Sequence, residues 1–339
     1  MRGRCRVSGA RPRFRAKPFA RRWAQYSEAV SIRERLRAIR RDRALAGRPL
    51  DPLAALDDAL PDRDWTVLPE GTREFRFPAP SGALAATELG DPQRPRVVLV
   101  PGATGSKEDF VLLAPLLAEG GYFVQSYDLA GQYESAAAGP PEGTPFTYEL
   151  FVADLIAFLE AGSSPAHVLG YSFAGIVAEL ALVQRPELFA TLTLLGAPPK
   201  PGQVFHHVRV IGLLSRVTSA HTIATLIIWG IVSNQNRVPP GRLALVRMRF
   251  DYTSRRSVDD IVHLMKHVPD LRHQLRRSPT PMLCAVGHHD LWPEALHRDF
   301  AGRIGAELRV YRSGHSPCET TPHQLARDLI ELYARSSKR

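Results

Sequence analysis

The order of hydrophobic patterns along the chain predicts an α/β protein: a mostly parallel, twisted sheet flanked by helices, with one helical insertion. Three observations carry that prediction. Apolar runs such as Val97–Val100 are uninterrupted, as a strand buried on both faces requires. These runs alternate with stretches of helical spacing, the pattern of βα units. The alternation stops once, between Ala197 and about Thr280, and then resumes.

In chain order, Ile32, Leu36 and Ile39 at helical spacing predict one or two short helices within residues 28–60. Two short strands follow, Glu74–Phe77 and Ala83–Leu89, around a Pro-Ala-Pro-Ser-Gly turn at 78–82. The alternating series is then strand Val97–Val100, helix Phe110–Leu117, strand Tyr122–Asp128, helix Thr147–Leu159, strand His167–Gly170, helix Phe173–Val183 and strand Ala190–Leu195. After the insertion come strand Met282–Val286, a helix near Glu294–Phe300, strand Leu308–Tyr311 and a final helix Thr321–Tyr333. The domains expected are a basic N-terminal extension over 1–60, partly disordered or helical, and a core over 61–196 and 281–339. Residues 197–280 form the helical insertion above the sheet and carry six of the twelve His.

The formal charge of +10 is unevenly placed. Residues 1–50 hold 16 Lys and Arg against 3 Asp and Glu, so the remaining chain is mildly acidic. A nucleic-acid-binding core would need its basic face within the folded domain, and that class is excluded for the core. The tail has Arg throughout and lacks the apolar segment of a secretory signal; Arg21 and Arg22 are followed by polar Gln25, Ser27 and Glu28. The longest apolar stretch, Ile223–Val232, is about half the ~18 residues that span a membrane. Cys5, Cys284 and Cys318 are too few and scattered for a disulfide framework or a zinc site, and suit a reducing compartment. A cytoplasmic location is the expectation.

The chemistry-bearing motifs all lie just past predicted strands. In Gly170-Tyr171-Ser172-Phe173-Ala174 a strand runs into a serine and a helix leaves it. Such a turn strains the serine backbone, exposes its hydroxyl, and needs small residues two before and two after. The helix start also places the Phe173 N–H and a positive dipole end beside the hydroxyl. The Gly-rich turn Pro101-Gly102-Ala103-Thr104-Gly105-Ser106 lacks the Lys-Ser/Thr ending of a P-loop. It can instead aim the Ala103 N–H at a developing oxyanion. Asp290 follows one strand and His315 the last. A serine nucleophile needs a His base, and the His needs a carboxylate to fix its tautomer. The candidate catalytic set is therefore Ser172, Asp290 and His315, with Ala103 and Phe173 as the oxyanion hole and Trp229, Thr104 and Leu291 as substrate-binding residues.

With these motifs in the order Ser, Asp, His, the chain resembles the α/β-hydrolase-fold proteins over about residues 72–339. Pro101–Ser106 resembles the family's His-Gly oxyanion loop, with Pro101 where His is common. Tyr127–Ser135 resembles the family's Asp-x-Arg-Gly-x-Gly-x-Ser loop, with Ala130 for the Arg and Tyr133 for the second Gly. The patterns Gly287–Asp290–Pro293 and Gly314-His315…Glu319…Pro322 also match. The resemblance implies that 197–280 is a cap domain and that the activity is hydrolysis of an ester or related acyl bond. No cofactor and no metal is implied, the partner being a small-molecule substrate. Ser at the nucleophile position disfavours the branches that use Asp there, the dehalogenases and epoxide hydrolases.

Other candidates rank lower. His263 and His267 at i, i+4 have no third ligand arranged with them and suit a solvated helix face. His288 and His289 flank Asp290 at the pocket rim. Asp251, Asp259 and Asp260 are alternative acids in the insertion. Arg237, Arg242, Arg247 and Arg249 are expected on a solvated surface, and Cys318 is expected to pack at a helix start. Two other functional readings stand beside the esterase: a thioesterase or acyltransferase on acyl-CoA or carrier-bound acyl groups, and a binding protein that keeps the fold without turnover. Oligomeric state is left open.

Overall fold

The computed structural model describes residues 51–207, Thr225 and 238–336. The expected helices near Ile32, Leu36 and Ile39, the apolar stretch 223–232 other than Thr225, and Trp229 lie outside the described residues.

Eight strands form one sheet: β1 Arg73–Ala79, β2 Gly82–Leu89, β3 Arg96–Val100, β4 Phe123–Tyr127, β5 Ala166–Tyr171, β6 Phe189–Leu195, β7 Met282–Gly287 and β8 Glu307–Tyr311. Their spatial order is β1-β2-β4-β3-β5-β6-β7-β8. β2 runs antiparallel to β1 and β4, and every other pairing is parallel. Among the described residues ten α-helices accompany it: α1 Ala54–Asp58, α2 Leu113–Glu119, α3 Tyr148–Glu160, α4 Phe173–Gln184, α5 Pro240–Tyr252, α6 Arg255–Met265, α7 Arg272–Arg277, α8 Glu294–Ile304, α9 Pro317–Thr320 and α10 Pro322–Ser336.

The alternation of side chains along each strand divides the core into two layers. Val98 and Val100 of β3, Val168 of β5, Leu192 and Leu194 of β6 and Cys284 of β7 face α3, α4 and α8. Val97, Leu99, Leu169, Leu195, Leu283 and Ala285 face α2 and α10. Both faces of the central strands are covered, which is why their sequences read as unbroken apolar runs rather than alternating ones.

Two elements differ from the sequence reading. The stretch 110–117 divides into a 3-10 turn at Lys107–Phe110 and α2 from Leu113. Pro115 has no N–H to donate, so it suits only the first turn of a helix, and α2 starts two residues before it. The turn ahead of it is closed by a reciprocal capping box between Ser106 and Asp109. α8 runs past Phe300 to Ile304, where Gly305 at φ 76° takes the left-handed conformation that ends it. Within the segment read as helical, residues 240–277 form α5, α6 and α7. Val258, Ile261, Val262 and Met265 of α6 join the layer containing α4. Ahead of the sheet, α1 is tied to α10 by Asp57, whose Oδ1 accepts from His323 N at 2.8 Å.

Candidate active site

Because β3, β5, β6, β7 and β8 are parallel, the loops leaving their carboxyl ends gather on one side of the sheet. Four of the motifs read from the sequence lie there.

Ser172 sits between β5 and α4 at φ 53°, ψ −117°, a conformation L-residues rarely adopt. Its N–H donates to Leu195 O at 2.8 Å and its carbonyl accepts from Gly175 N at 2.9 Å, so the neighbouring strand and the helix start hold the strained residue. A Cβ on Gly170 would come within 2.5 Å of Ala174 O, and one on Gly175 within 2.5 Å of the Ala197 Cβ. The first is the close approach of strand and helix anticipated from the sequence; the second packs α4 on Ala197, just past β6. Ser172 is 9% exposed, and among the described residues its hydroxyl has no hydrogen-bond partner.

The turn after β3 packs directly on this serine. A Cβ on Gly102 would lie 3.0 Å from the Ser172 Cβ, so glycine lets the two loops touch. The N–H groups of Ala103 and Phe173 have no acceptor among the described residues. Thr104, in contrast, is at φ 61° and donates its N–H to Gln132 Oε1 at 3.0 Å. Gln132 Nε2 donates in turn to Ser257 Oγ on α6 at 2.6 Å, and Ser257 Oγ to Ala130 O at 3.2 Å. Gln132 thus braces the turn against α6. Thr104 itself is buried, whereas Leu291 is exposed beside Asp290.

His315 and Asp290 meet through Nδ1 and Oδ1 at 3.0 Å. Asp290 is 2% exposed, and its own N–H closes a turn onto Gly287 O at 3.0 Å. Gly196, at φ 53°, forms the wall behind them: a Cβ there would stand 3.1 Å from both Asp290 Oδ2 and His315 Nδ1. The His315 ring lies 5.3 Å from the Tyr171 ring and 5.8 Å from Trp292, centroid to centroid. Trp292 is anchored by its Nε1 donating to Val204 O at 2.9 Å. Tyr171 OH and Ser316 Oγ, 2.6 Å apart, join the residue before Ser172 to the residue after His315. Ser172, His315 and Asp290 therefore share one neighbourhood, bounded by Gly102, Tyr171, Gly196 and Trp292.

The alternative acids lie elsewhere. Asp251 is exposed, Asp259 pairs with Arg255 at 3.0 Å, and Asp260 accepts from Phe146 N at 3.0 Å. His263 and His267 are exposed and their rings lie beside each other, centroids 4.7 Å apart and tilted by 42°. His288 engages Glu294 at 2.9 Å. Cys318 is fully buried, and burial raises its thiol well above the ordinary range.

The expectation that the arginines of the insertion are solvated is wrong for two of them. Arg247 is exposed and Arg237 lies outside the described residues, but Arg242 and Arg249 are 5% and 4% exposed. Asp109 Oδ1 accepts from Arg242 Nη2 and from Arg249 Nη1, each at 2.7 Å. Arg242 Nε also donates to Glu319 Oε2 at 3.0 Å, and Arg249 Nη1 to Ser106 Oγ at 3.1 Å. Burial would raise the Asp109 carboxyl, but the two guanidiniums outweigh it and hold it below the ordinary carboxylate range. The cluster joins α5 to the turn carrying Ala103 and to the helix after His315. Arg242→Met is expected to cost about 3–5 kcal/mol, because it leaves the buried Glu319 carboxylate without its guanidinium and Asp109 with only Arg249. Chemical denaturation checks this, and adding Glu319→Gln should recover part of the loss.

A second buried group lies on the other side of the same turn. Lys107 Nζ contacts Glu108 Oε1 at 2.7 Å, Glu134 Oε2 at 2.9 Å and Asp128 Oδ2 at 3.6 Å. Burial, despite Lys107, pushes the Asp128 carboxyl up to about 7. Sequence reasoning missed Gln132, Gly196, His297, Arg242 and Arg249 as parts of this region. Only Gln132 carried a signal, since it sits inside the motif 127–135.

A family model described as the alpha/beta hydrolase family matches residues 97–328, more than half of the chain. Human serine hydrolase-like protein is 30% identical over 126 residues, which are 37% of this chain and 61% of that relative's length. A solved structure from a study of carboxylesterases of Nitrososphaera gargenis superposes with TM-score 0.63 at 19% identity, covering 78% of this chain and 99% of the other. The enol-lactonase of Burkholderia xenovorans superposes with TM-score 0.62 at 18% identity, covering 77% and 100%. At these identities the structural likenesses establish the fold. Among the described residues, no helix is long and apolar enough to cross a membrane.

Proposed function

Because the chain belongs to the alpha/beta hydrolase family, we propose that it is a serine hydrolase that cleaves a carboxylic ester of a small, apolar substrate through an acyl-enzyme. The observation that carries the reading is the 3.0 Å His315–Asp290 hydrogen bond, formed beside a serine held at φ 53°.

Asp290 accepts the His315 Nδ1 proton, which leaves Nε2 as the basic nitrogen. His315 takes the Ser172 hydroxyl proton as Oγ attacks the substrate carbonyl. The carbonyl oxygen becomes an oxyanion, and the free N–H groups of Ala103 and Phe173 stabilise it. Asp290 then faces an imidazolium and stabilises that charge in a buried setting. His315 returns the proton to the departing alcohol, leaving the acyl group on Ser172. Water, deprotonated by the same imidazole, attacks the acyl-enzyme, and the collapse releases the acid and restores the serine. The names of the human and structural relatives support the reaction class. Substrate choice is assigned to the helical insertion over 197–280, with Trp229 and Leu291 as contacts.

The test is a panel of p-nitrophenyl esters from acetate to octanoate, run beside acyl-CoA thioesters. An apolar acyl pocket should raise kcat/KM with chain length, by about 0.8 kcal/mol per buried CH₂ until the pocket is full. Turnover of the thioesters alone would move the assignment to a thioesterase, and a flat ester profile would remove the apolar pocket.

A further inference from the structure

The acid Asp290 has two carboxylate oxygens, and only one is used by His315. Oδ2 has no hydrogen-bond partner among the described residues, although a buried anion ordinarily accepts several hydrogen bonds. The group facing it is His297, one turn into α8. Its Nε2 stands 3.9 Å from Asp290 Oδ2 and likewise lacks a partner. His297 is 2% exposed, so water does not supply the missing contacts freely. Its ring lies 6.3 Å from that of Trp292, which is itself 5.8 Å from the His315 ring. The separation of 3.9 Å is longer than a hydrogen bond but closes with a shift of less than 1 Å.

We infer that His297 is a positioning residue for Asp290, holding an Nε2–H toward Oδ2 so that the carboxylate is gripped between two imidazoles. The role rests on the proposed function, in which Asp290 must stay ionised and aimed at His315. The charged and titratable groups around His297 are Asp290 and His315 from the loops after β7 and β8 and Glu294 from α8 itself. Burial lowers the imidazole's proton affinity and so favours its neutral form. A neutral imidazole has one N–H, and only the Nε2–H tautomer can donate to the acid. A carboxylate held at one oxygen can rotate about its Cβ–Cγ bond; one held at both cannot. The second donor also spreads the negative charge. With that donor gone, the Asp290 carboxylate is free to turn away from His315 Nδ1.

The experiment uses the whole chain with 15N-labelled histidine. In the wild type, NMR should find His297 in the Nε2–H tautomer at neutral pH; an Nδ1–H tautomer with bare Nε2 overturns the inference without any variant. His297→Leu should lower kcat about tenfold with KM unchanged, the loss expected for one hydrogen bond to a charged group. The same variant should move the His315 Nδ1–H resonance, because the carboxylate that accepts it is no longer held in place. His297→Gln, whose amide reaches the same position, should keep both kcat and that resonance near wild type. Wild-type kcat and an unmoved His315 Nδ1–H resonance in a folded His297→Leu protein overturn the inference. A chain that hydrolyses no ester yet shows the tautomer and the His315 shift refutes the hydrolase reading and leaves the contact intact.

Discussion

Ser172→Ala is expected to abolish fluorophosphonate labelling and to reduce ester kcat on the order of 10⁶-fold, the scale seen when a serine-hydrolase nucleophile is removed. The fold should survive. Alanine keeps the Cβ that packs against Gly102, and it bears the positive φ of 53° with no more strain than serine. The N–H and carbonyl that bind Leu195 and Gly175 are backbone groups and are unchanged. A melting temperature near wild type with no labelling is the expected pair of results. Full activity in the purified variant would end the covalent mechanism.

Asp290→Asn should reduce kcat on the order of 10⁴-fold, by the effect that the same change has in a serine-protease triad. The cause is the direction of one hydrogen bond. A carboxylate oxygen only accepts, so His315 must donate from Nδ1 and present Nε2 as the base. An amide can donate instead, and His315 then carries its proton on the wrong nitrogen. Burial sharpens the effect, because no water competes at a residue that is 2% exposed. Asp251→Asn and Asp259→Asn should leave kcat within about twofold, since an exposed charge and a half-buried one paired with Arg255 contribute little at a distance. Dependence on Asp259 and indifference at Asp290 would reassign the acid.

Among the described residues, the fold was legible in the sequence almost element by element. The central strands β3 and β5 read as apolar runs because both their faces are covered. Their ends were marked by Gly102 and Gly170, where backbone or side chain passes too close for a Cβ. The candidate site was read from the same local pattern. Ser172, Asp290 and His315 each follow a parallel strand, and parallel strands put their carboxyl ends together. What failed was exposure. Arg242 and Arg249 read as solvated because charge on a helix usually is, yet Asp109, more than 130 positions earlier, accepts from both.

Period, glycine placement and the strand–loop position of three residue types are local properties, set by backbone sterics over a few positions. They decided the fold class, the strand series and the candidate nucleophile, acid and base. Partnership across the chain is not local. That Gln132 braces the Ala103 turn against Ser257, that Gly196 walls the acid, and that His297 faces Asp290 Oδ2 followed only once the chain was packed. A buried polar group is stable only beside its partner, and the fold, not the neighbouring sequence, chooses which distant side chain that partner is.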